Sequence, residues 1–474
     1  MQMFRFPSIE IRHEDGAADA VLHLCSEAAA PELAGLAAIK GCAPEAKQWL
    51  VVDQVPTLVA HPKAGLSAFE RLSAARAWAG VFADWQLASL KVVVSGFEAD
   101  EARALAEAAL AALLAAQVQM PSFKKDAKAR HVIKRFLVSG TEVDGRRLLA
   151  EAEGNGLARY LSELPGSELT PATYRHWLSE FARENGWQME VYDQTKLAGL
   201  GAGAFLAVVR GSDNDEAAIV RLRYKGANAG RKVALVGKGL CYDTGGYNLK
   251  ISGHMYGMHG DMGGSAVALG TLLALSRLGA ELELDCWLAL AENHIGPKAY
   301  KANDLVTAMN GTRIEVVDTD AEGRMVLADT LTLASREKPA LVMDYATLTG
   351  SCIRALGTAQ SGVFCNRDGW REDLIRLGRE AGERVWPFPL DQDYDDNIKS
   401  DVADVKQCAP GSSCDHIDAA RFLSRFVEDG VPWVHMDLSA AEHKGGLAQV
   451  AGDTTGFGVR YSVHALLDEG GLLQ

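Results

Sequence analysis

The sequence predicts an α/β protein in which a smaller N-terminal α/β domain precedes a larger C-terminal domain with a mostly parallel central sheet covered by helices. Two observations lead to this prediction. Short apolar segments typical of strands alternate with longer segments typical of helices along most of the chain. The chain also has 474 residues, more than one hydrophobic core usually supports. We therefore expect an N-terminal domain at residues 1–140, a connecting helix at 141–165 and a C-terminal domain at 166–474.

The N-terminal domain contains predicted strands and helices but no spacing typical of a catalytic site. Residues 49–55 and 90–95 predict strands, and the Ala- and Leu-rich residues 98–118 predict a helix. We interpret a basic stretch at residues 124–135 as a solvated strand or linker, with a weak contact to an anion or nucleic acid as the alternative. Its six basic residues, against one acid, are Lys124, Lys125, Lys128, Arg130, Lys134 and Arg135.

The C-terminal domain repeats a β-α-β-α pattern. Thr170 followed by Pro171 predicts the N-cap and first residue of a helix that ends near Asn185. Parallel strands connected by helices place a ligand site at the carboxyl ends of the strands. Strands are predicted at residues 232–236, 283–291, 340–344 and 432–437, and helices at residues 264–278 and 325–337.

The composition, 48% apolar and 23% charged, is that of an ordinary globular protein. No apolar run is long enough to span a bilayer, and residues 1–13 lack the apolar core of a signal peptide. We therefore expect a cytoplasmic location and no membrane partner. Residues 1–140 carry 15 basic and 15 acidic residues, so the net charge of −14 belongs to the rest of the chain and disfavours nucleic acid as a partner. Eight cysteines without a CxxC pair argue against a disulfide framework or a zinc knuckle.

An acidic stretch at residues 316–324, between two apolar segments, is the most informative part of the sequence. It contains Asp318, Asp320 and Glu322, which would share one side of an extended segment. Carboxylates held that close repel one another unless a cation lies between them. The apolar flanks favour a buried charged site over the alternative, a solvated acidic loop. Gly323 is expected to permit a sharp turn before a buried helix begins.

A glycine-rich stretch at residues 237–250, directly after a predicted strand, contributes a second cluster. Its glycines allow backbone and side chains to crowd around a small ligand. A phosphate-binding loop is the alternative, but the stretch matches neither GxGxxG nor GxxxxGK followed by Ser or Thr. Two divalent ions are a recurrent hydrolytic device, and oxygen ligands suit Mg²⁺ or Mn²⁺, with Zn²⁺ also possible. The carboxylates that could hold such a pair are Asp243, Asp261, Asp320 and Glu322.

Together these motifs resemble the leucine aminopeptidase (cytosol aminopeptidase) family, and most of all its peptidase B-like members. The resemblance covers most of residues 160–465, whereas residues 1–140 resemble the family only in position and α/β character. It implies a metal-dependent leucyl-type aminopeptidase that hydrolyses the N-terminal residue from peptides, with residues 166–474 as its catalytic metallopeptidase domain. The similar segments are residues 238–239, 243–246, 250, 261–264 and 319–324, supported by 291–293, 306–310, 346–350 and 455–460.

The resemblance also implies a ligand set for two metal ions per subunit, with Mn²⁺ or Zn²⁺ as the metal and Mg²⁺ as a third candidate. One ion would be held by Asp243, Asp320 and Glu322. The other would be held by Lys238 and Asp261, with Asp243 and Glu322 bridging the pair. A lysine can ligate only as the neutral amine, so we expect the two ions to lower the pKa of Lys238.

The same resemblance assigns catalytic and substrate-binding roles. A metal-bridging water would be the nucleophile, Lys250 would polarise the scissile carbonyl, and Arg324 would hold a bicarbonate that carries the proton. Met258, Thr347 and Gly350 would line the pocket for the N-terminal side chain. The substrates would be peptides with a free N-terminal amine, and the family implies a homohexamer.

One position departs from the family, because Asp318 stands where the family usually has asparagine. The added carboxylate could tighten metal binding, or orient the turn by accepting backbone N–H groups. If it paired with Arg324 or Lys250 instead, activity would fall.

Two other functions are weaker alternatives. A DNA-binding accessory protein on the same scaffold is supported only by the basic stretch at residues 124–135. A two-metal phosphoesterase would suit the four carboxylates, but the lysine ligand and the segment at residues 319–324 fit a peptidase better.

Overall fold

Two sheets, one from each half of the chain, organise the protein. The computed structural model describes residues 3–26, 48–52, 54–127, 130–213 and 216–473. Within these residues, no helix is both long and apolar enough to cross a bilayer.

The first sheet has six strands in the order β1-β6-β5-β2-β4-β3, and every neighbouring pair is parallel except the β3–β4 hairpin. Two helices pack their apolar sides against it and share its hydrophobic core. The strands are β1 (Glu10–His13), β2 (Ala20–Cys25), β3 (Gln48–Val52), β4 (Val55–Ala60), β5 (Ser89–Ser95) and β6 (Arg135–Ser139), and the helices are α1 (Ala68–Ala79) and α2 (Ala99–Gln117).

The sequence predictions for this half are confirmed in β5 and α2 but wrong at residues 49–55. That segment is the end of β3 and the start of β4. The chain reverses between them, where Gln54 has a positive φ of 70°. Apolar residues on both sides of Asp53 and Gln54 conceal the turn, because neither of these two residues is the glycine or asparagine that usually marks such a conformation.

Helix α3 (Gly145–Ser162) lies between the two sheets, within the connecting segment predicted at residues 141–165. Its N-cap Asp144 accepts a hydrogen bond from the backbone N–H of Arg147 at 2.9 Å. The helix packs along α7 (Gly263–Leu278), and a Cβ atom at Gly154 would lie 2.3 Å from the carbonyl oxygen of Gly270. The connection is therefore a packed helix, and the division of the chain at residues 140 and 165 stays a prediction.

The second sheet is larger and mixed, with eight strands in the order β15-β14-β17-β13-β9-β10-β8-β7. Its four contiguous strands β17, β13, β9 and β10 are parallel, and the outer pairs β14–β17, β10–β8 and β8–β7 are antiparallel. The strands are β7 (Gln188–Asp193), β8 (Ala218–Lys225), β9 (Arg231–Asp243), β10 (Leu282–Asn293), β13 (Leu341–Ala346), β14 (Ser361–Cys365), β15 (Val385–Pro387) and β17 (Trp433–Asp437); β11 (Leu305–Thr307), β12 (Arg313–Glu315) and β16 (Val405–Lys406) form a small third sheet.

The four strands predicted in this half are the four parallel strands at the centre of the sheet. Strands that are buried on both faces have nearly continuous apolar sequences, and this pattern made the four strands recognisable in the sequence. In β9, Val233 and Leu235 face one hydrophobic core while Ala234 and Val236 face another. Helices cover both faces, as predicted.

The helices of this half are distributed between the two cores. Helices α3, α4, α7, α10 and α12 contribute to one core, and α5, α6, α8 and α11 contribute to the other. The prediction for α4 is confirmed, because Thr170 caps it and Gly186, with a φ of 68°, ends it. The bounds are α4 (Pro171–Asn185), α5 (Gln194–Gly199), α6 (Gly203–Val209), α8 (Glu322–Arg336), α9 (Gly350–Leu356), α10 (Arg371–Ala381), α11 (Asp415–Ser424) and α12 (Val459–Leu467).

The described residues of the basic stretch, 124–127 and 130–135, lead into β6 and are exposed except for Val132 and Ile133. Its described basic residues are all exposed, which agrees with the interpretation as a solvated linker, while Lys128 lies outside the described residues. Of the cysteines, Cys42 also lies outside the described residues, Cys414 is half-buried, and the other six are buried free thiols.

The α3–α7 contact yields a test of the packing. Gly154→Ala is expected to lower the free energy of unfolding by about 1–3 kcal/mol, because the new methyl group meets a backbone carbonyl that cannot rotate away. Denaturation in urea measures this change. Gly80→Ala is the matched control, because no atom lies within 4 Å of the added Cβ and the backbone φ is −59°. Equal stability of Gly154→Ala and wild type would contradict the close helix contact.

Candidate metal centre

Strand β9 supplies the first two charged side chains of the site. Lys238 lies within the strand and Asp243 is its last residue, at the carboxyl end where a parallel sheet presents its ligand site. Both side chains are buried. A Cβ atom at Gly323 would lie 2.6 Å from Lys238 Cε, so the glycine leaves room for the lysine. Gly323 lies inside the first turn of α8, so the prediction that it permits a sharp turn is wrong.

Asp243 is oriented by hydrogen bonds to one of its two oxygens. Its Oδ1 accepts the backbone N–H of Gly245 at 2.9 Å and Asn293 Nδ2 at 2.8 Å. Asn293 ends the neighbouring strand β10 and also donates to the carbonyl of Thr319 at 3.0 Å. Sequence analysis missed this positioning role, although Asn293 lies in a segment that resembles the family.

The acidic stretch is held against the glycine-rich stretch by hydrogen bonds of Thr319. Its hydroxyl donates to the carbonyl of Gly245 at 2.6 Å and accepts the backbone N–H of Asn248 at 2.8 Å. Gly245 and Gly246 both have positive φ, 83° and 65°, which allows the chain to fold back at this point. Hydrogen bonds within the protein therefore hold the two stretches together without a bound ligand.

The predicted ligands converge. Among the described residues, three acids each offer one carboxylate oxygen, and these oxygens lie within 4.8 Å of one another: Asp243, Asp320 and Glu322. Lys238 Nζ lies 2.9 Å from Asp261 Oδ1 and 3.1 Å from Glu322 Oε1. On the other side of the cluster, Lys250 Nζ lies 2.8 Å from Asp243 Oδ2 and also contacts Asp320. All six side chains line one cavity of about 670 Å³.

Burial and the nearness of like charges raise the pKa values of three of the carboxylates. Burial, followed by repulsion from Asp243, raises the pKa of Glu322 to about 8 and that of Asp320 to about 6. Burial also raises the pKa of Asp261 to about 6, although Lys238 opposes the shift. Burial disfavours the charged form of Lys238, but Asp261 and Glu322 outweigh it and raise the lysine pKa.

The donor set fits divalent cations. Asp261 Oδ2 and Glu322 Oε2 are buried atoms with no hydrogen-bond partner among the described residues. A buried acceptor without a partner is costly, and an added cation would satisfy both atoms and reduce the repulsion within the cluster. Carboxylate oxygens and a lysine nitrogen are donors that Mn²⁺ and Zn²⁺ accept.

Asp318 does not join the cluster. Residues 319–320 form a turn and Glu322 begins α8, so the three acids do not share one side of an extended segment. Asp318 Oδ1 instead accepts the backbone N–H of Asp320 at 2.8 Å. The extended-segment prediction is therefore wrong, and the extra carboxylate orients the turn, one of the two roles expected for it.

Arg324 lies outside the residues that line the described cavity. Its Nη2 donates to both oxygens of Asp415, at 2.9 and 2.8 Å, and its Nη1 donates to the carbonyl of Gln407 at 3.1 Å. The Gln407 side chain in turn accepts the backbone N–H groups of Val317 and Asp318, both at 3.1 Å. Gln407 and Asp415 are about 90 residues away in sequence, and no local signal indicated either contact.

The residues predicted to bind the substrate side chain lie in the same cavity. Met258, Thr347 and Gly350 all line it, and Thr347 Oγ1 donates to Asp261 Oδ1 at 2.8 Å. Sequence analysis did not single out the exposed apolar residues that also line the cavity. These are Leu249, Ile251, Tyr256 and Ile353.

Clustered carboxylates and a buried lysine at the carboxyl ends of parallel strands are typical of the class of metal-dependent hydrolases. Residues 156–463 match the family described as the cytosol aminopeptidase family, catalytic domain. The chain belongs to this family, and it is a metal-dependent aminopeptidase whose substrates are peptides.

Curated relatives and solved structures agree with this assignment. The probable cytosol aminopeptidase of Burkholderia ambifaria is 40% identical over 355 residues, which cover 73% of this chain and 69% of the relative. The probable cytosol aminopeptidase of Acidovorax sp. (strain JS42) is 39% identical over 390 residues, which cover 81% of this chain and 77% of the relative. The structure of the bottromycin maturation enzyme BotP in complex with Mn is similar with a TM-score of 0.82 and 31% identity, covering 95% of this chain and 99% of BotP.

The geometry predicts which acids of the acidic stretch contribute to metal affinity. Glu322→Gln is expected to weaken Mn²⁺ binding by more than about tenfold, because it removes a charge from the centre of the cluster. Isothermal titration calorimetry measures the affinity and the number of ions bound.

Asp318→Asn is the matched control for this measurement. Asparagine can still accept the backbone N–H of Asp320, so Mn²⁺ affinity should change little. An equal loss of affinity in both variants would contradict the separation of Asp318 from the cluster.

Proposed function

We propose that this aminopeptidase holds two divalent ions on the side chains of Lys238, Asp243, Asp261, Asp320 and Glu322, and hydrolyses the N-terminal bond of peptides with a free amine. The convergence of these five side chains in one cavity is the observation that supports the proposal. When bound, the two ions would supply Lewis acidity for the scissile carbonyl and for an attacking water.

In this proposal Lys250 polarises the scissile carbonyl. Burial disfavours its charge, but Asp243 and Glu322 outweigh burial and raise its pKa, so the side chain stays an ammonium group. An ammonium beside the cluster can donate hydrogen bonds to the carbonyl oxygen and to the negative charge that develops there. Its contacts with Asp243 and Asp320 position it at the edge of the metal ligands.

Lys238 has a different role, as a neutral ligand. The protein's own carboxylates favour its protonated form, so ligation requires the charges of two adjacent dications to reverse that preference. Its position supports the role, because Nζ lies within hydrogen-bond distance of Asp261 and of the carbonyl of Thr347 at 3.0 Å. Release of this proton would accompany metal binding.

For Arg324 we propose that it holds a bicarbonate ion that carries the proton between water and leaving amine. Its Nε is buried and has no partner among the described residues, so one donor is free for an anion. The other side of the guanidinium is occupied by Asp415, so the anion must bind beside this pair or compete with it.

The broader setting is proposed from the family. Mn²⁺ or Zn²⁺ would be the metal, with Mg²⁺ a third candidate, and residues 166–474 would form the catalytic domain after a connecting helix at residues 141–165. A cytoplasmic location agrees with the name of the relatives, cytosol aminopeptidase. Assembly as a homohexamer is a further proposal.

Metal dependence is the direct test of this function. The protein is expected to release p-nitroaniline from amino-acid p-nitroanilides, to lose this activity after dialysis against a chelator, and to regain it with Mn²⁺. Simple phosphate esters should remain intact. A metal-loaded protein that is inert on a broad panel of free-amine substrates would reject the proposal.

Lys250→Met tests the carbonyl-polarising role. It is expected to lower kcat by about 10²–10³, the usual cost of removing one donor to a developing oxyanion. The exposed Lys298→Met is a matched control that should keep wild-type kcat. If Lys250→Met raised KM and left kcat unchanged, the lysine would bind substrate without assisting the chemical step.

A further inference from the structure

The cavity has lining residues besides the candidate metal ligands, and we call the part formed by six of them the inner pocket: Ser162, Gly260, Gly263, Val267, Thr347 and Glu442. Several of these residues lie next to Asp261 or contact it. Thr347 donates to Asp261, and a Cβ atom at Gly263 would lie 3.4 Å from Thr347 Cγ2. A Cβ atom at Gly260, the residue before Asp261, would lie 3.6 Å from Glu442 Oε1. The carboxylate of Glu442 therefore lies next to the wall that carries a metal ligand.

The Glu442 carboxylate has no hydrogen bond or ion pair with any part of the chain that the structure describes, although its backbone pairs with Thr454 in an antiparallel bridge. Its residue is exposed and lines the cavity, so the carboxylate is accessible to a ligand there. Partial burial, followed by the charge of Glu163, raises its pKa, and Asp453 adds to the shift while His259 opposes it. The carboxylate thus lies in a negative environment that a cationic group would relieve.

The same cavity also has apolar lining residues. Val267, Leu438 and Phe457 line it and are themselves buried. An apolar wall that leads to a carboxylate matches the build of arginine and lysine side chains, which pack their methylene groups against apolar surface and present a charge at the end. A leucine side chain would use the wall but leave the carboxylate unpaired.

We propose that Glu442 selects peptides whose N-terminal residue is arginine or lysine. The inference rests on the proposed function, in which the free amine of the substrate lies at the metal cluster and the first side chain enters the inner pocket. N-terminal aspartate and glutamate are disfavoured, because their charge would be repelled by Glu442. Glu442 is then the residue that sets the charge preference of the site.

The test compares kcat/KM for arginyl, lysyl, leucyl and glutamyl p-nitroanilides with the Mn²⁺-loaded protein. Wild type is expected to prefer arginine and lysine over leucine, and leucine over glutamate. Glu442→Gln keeps the size of the side chain and removes its charge. It should reduce the arginine-to-leucine ratio about tenfold, the lower range for a hydrogen bond to a charged group.

Glu163→Gln is the matched control. Glu163 is a neighbouring acid that accepts a hydrogen bond from Thr454 and is not among the described residues lining the cavity. The same change of charge there should leave the arginine-to-leucine ratio within about twofold, since an exposed charge without contact to the substrate has little effect. An equal loss in both variants would overturn the assignment to Glu442.

Binding of the products gives a readout that does not depend on turnover. Calorimetry should show tighter binding of free L-arginine than of L-leucine to wild type, and a smaller difference in Glu442→Gln. A wild type that prefers leucyl over arginyl substrates, or a ratio unchanged by Glu442→Gln, would overturn the inference while leaving the aminopeptidase proposal intact. Failure to cleave any free-amine substrate would reject the aminopeptidase proposal itself.

Discussion

The site depends on keeping four carboxylates and two lysines together in one largely buried pocket. Like charges so close repel, and burial removes the water that would screen them. Burial first, and repulsion from Asp243 after it, raise the pKa values of Glu322, Asp320 and Asp261. Lys238 and Lys250 offset part of it from opposite sides of the cluster. Divalent cations would offset the rest, which is why the arrangement suits a metal-dependent hydrolase.

Several neutral contacts hold this unfavourable arrangement in place. Asn293 and the backbone of Gly245 fix one oxygen of Asp243, and Thr319 ties the acidic stretch to the glycine-rich stretch. Gly323 leaves the space that Lys238 fills. The sheet supplies the framework, because the carboxyl ends of adjacent parallel strands bring segments far apart in sequence to one edge. Helix α3 adds Ala158 and Ser162 to the cavity wall, so a helix outside the large sheet also shapes the cavity.

The parts of the fold and site that could be predicted from sequence are those with a strong local signal. The four central strands are continuous apolar runs, and the carboxylates that converge lie in dense, unusual motifs. Contacts between distant segments have no such signal. Gln407 and Asp415 reach Arg324 from about 90 residues away, and Asn293 reaches Asp243 from the neighbouring strand. Asp318 and Gly323 were misinterpreted because the backbone turns at residues 319–320 and becomes helical at Glu322, where an extended segment was assumed.

The most direct test of the metal-cluster proposal is anomalous X-ray diffraction from crystals of the protein grown with Mn²⁺. The proposal predicts two anomalous peaks in the cavity, both within bonding distance of Asp243 and Glu322, one also beside Asp320 and the other beside Lys238 and Asp261. A cavity without an anomalous peak under saturating Mn²⁺, with Lys238 still paired to Asp261 and Glu322, would contradict it.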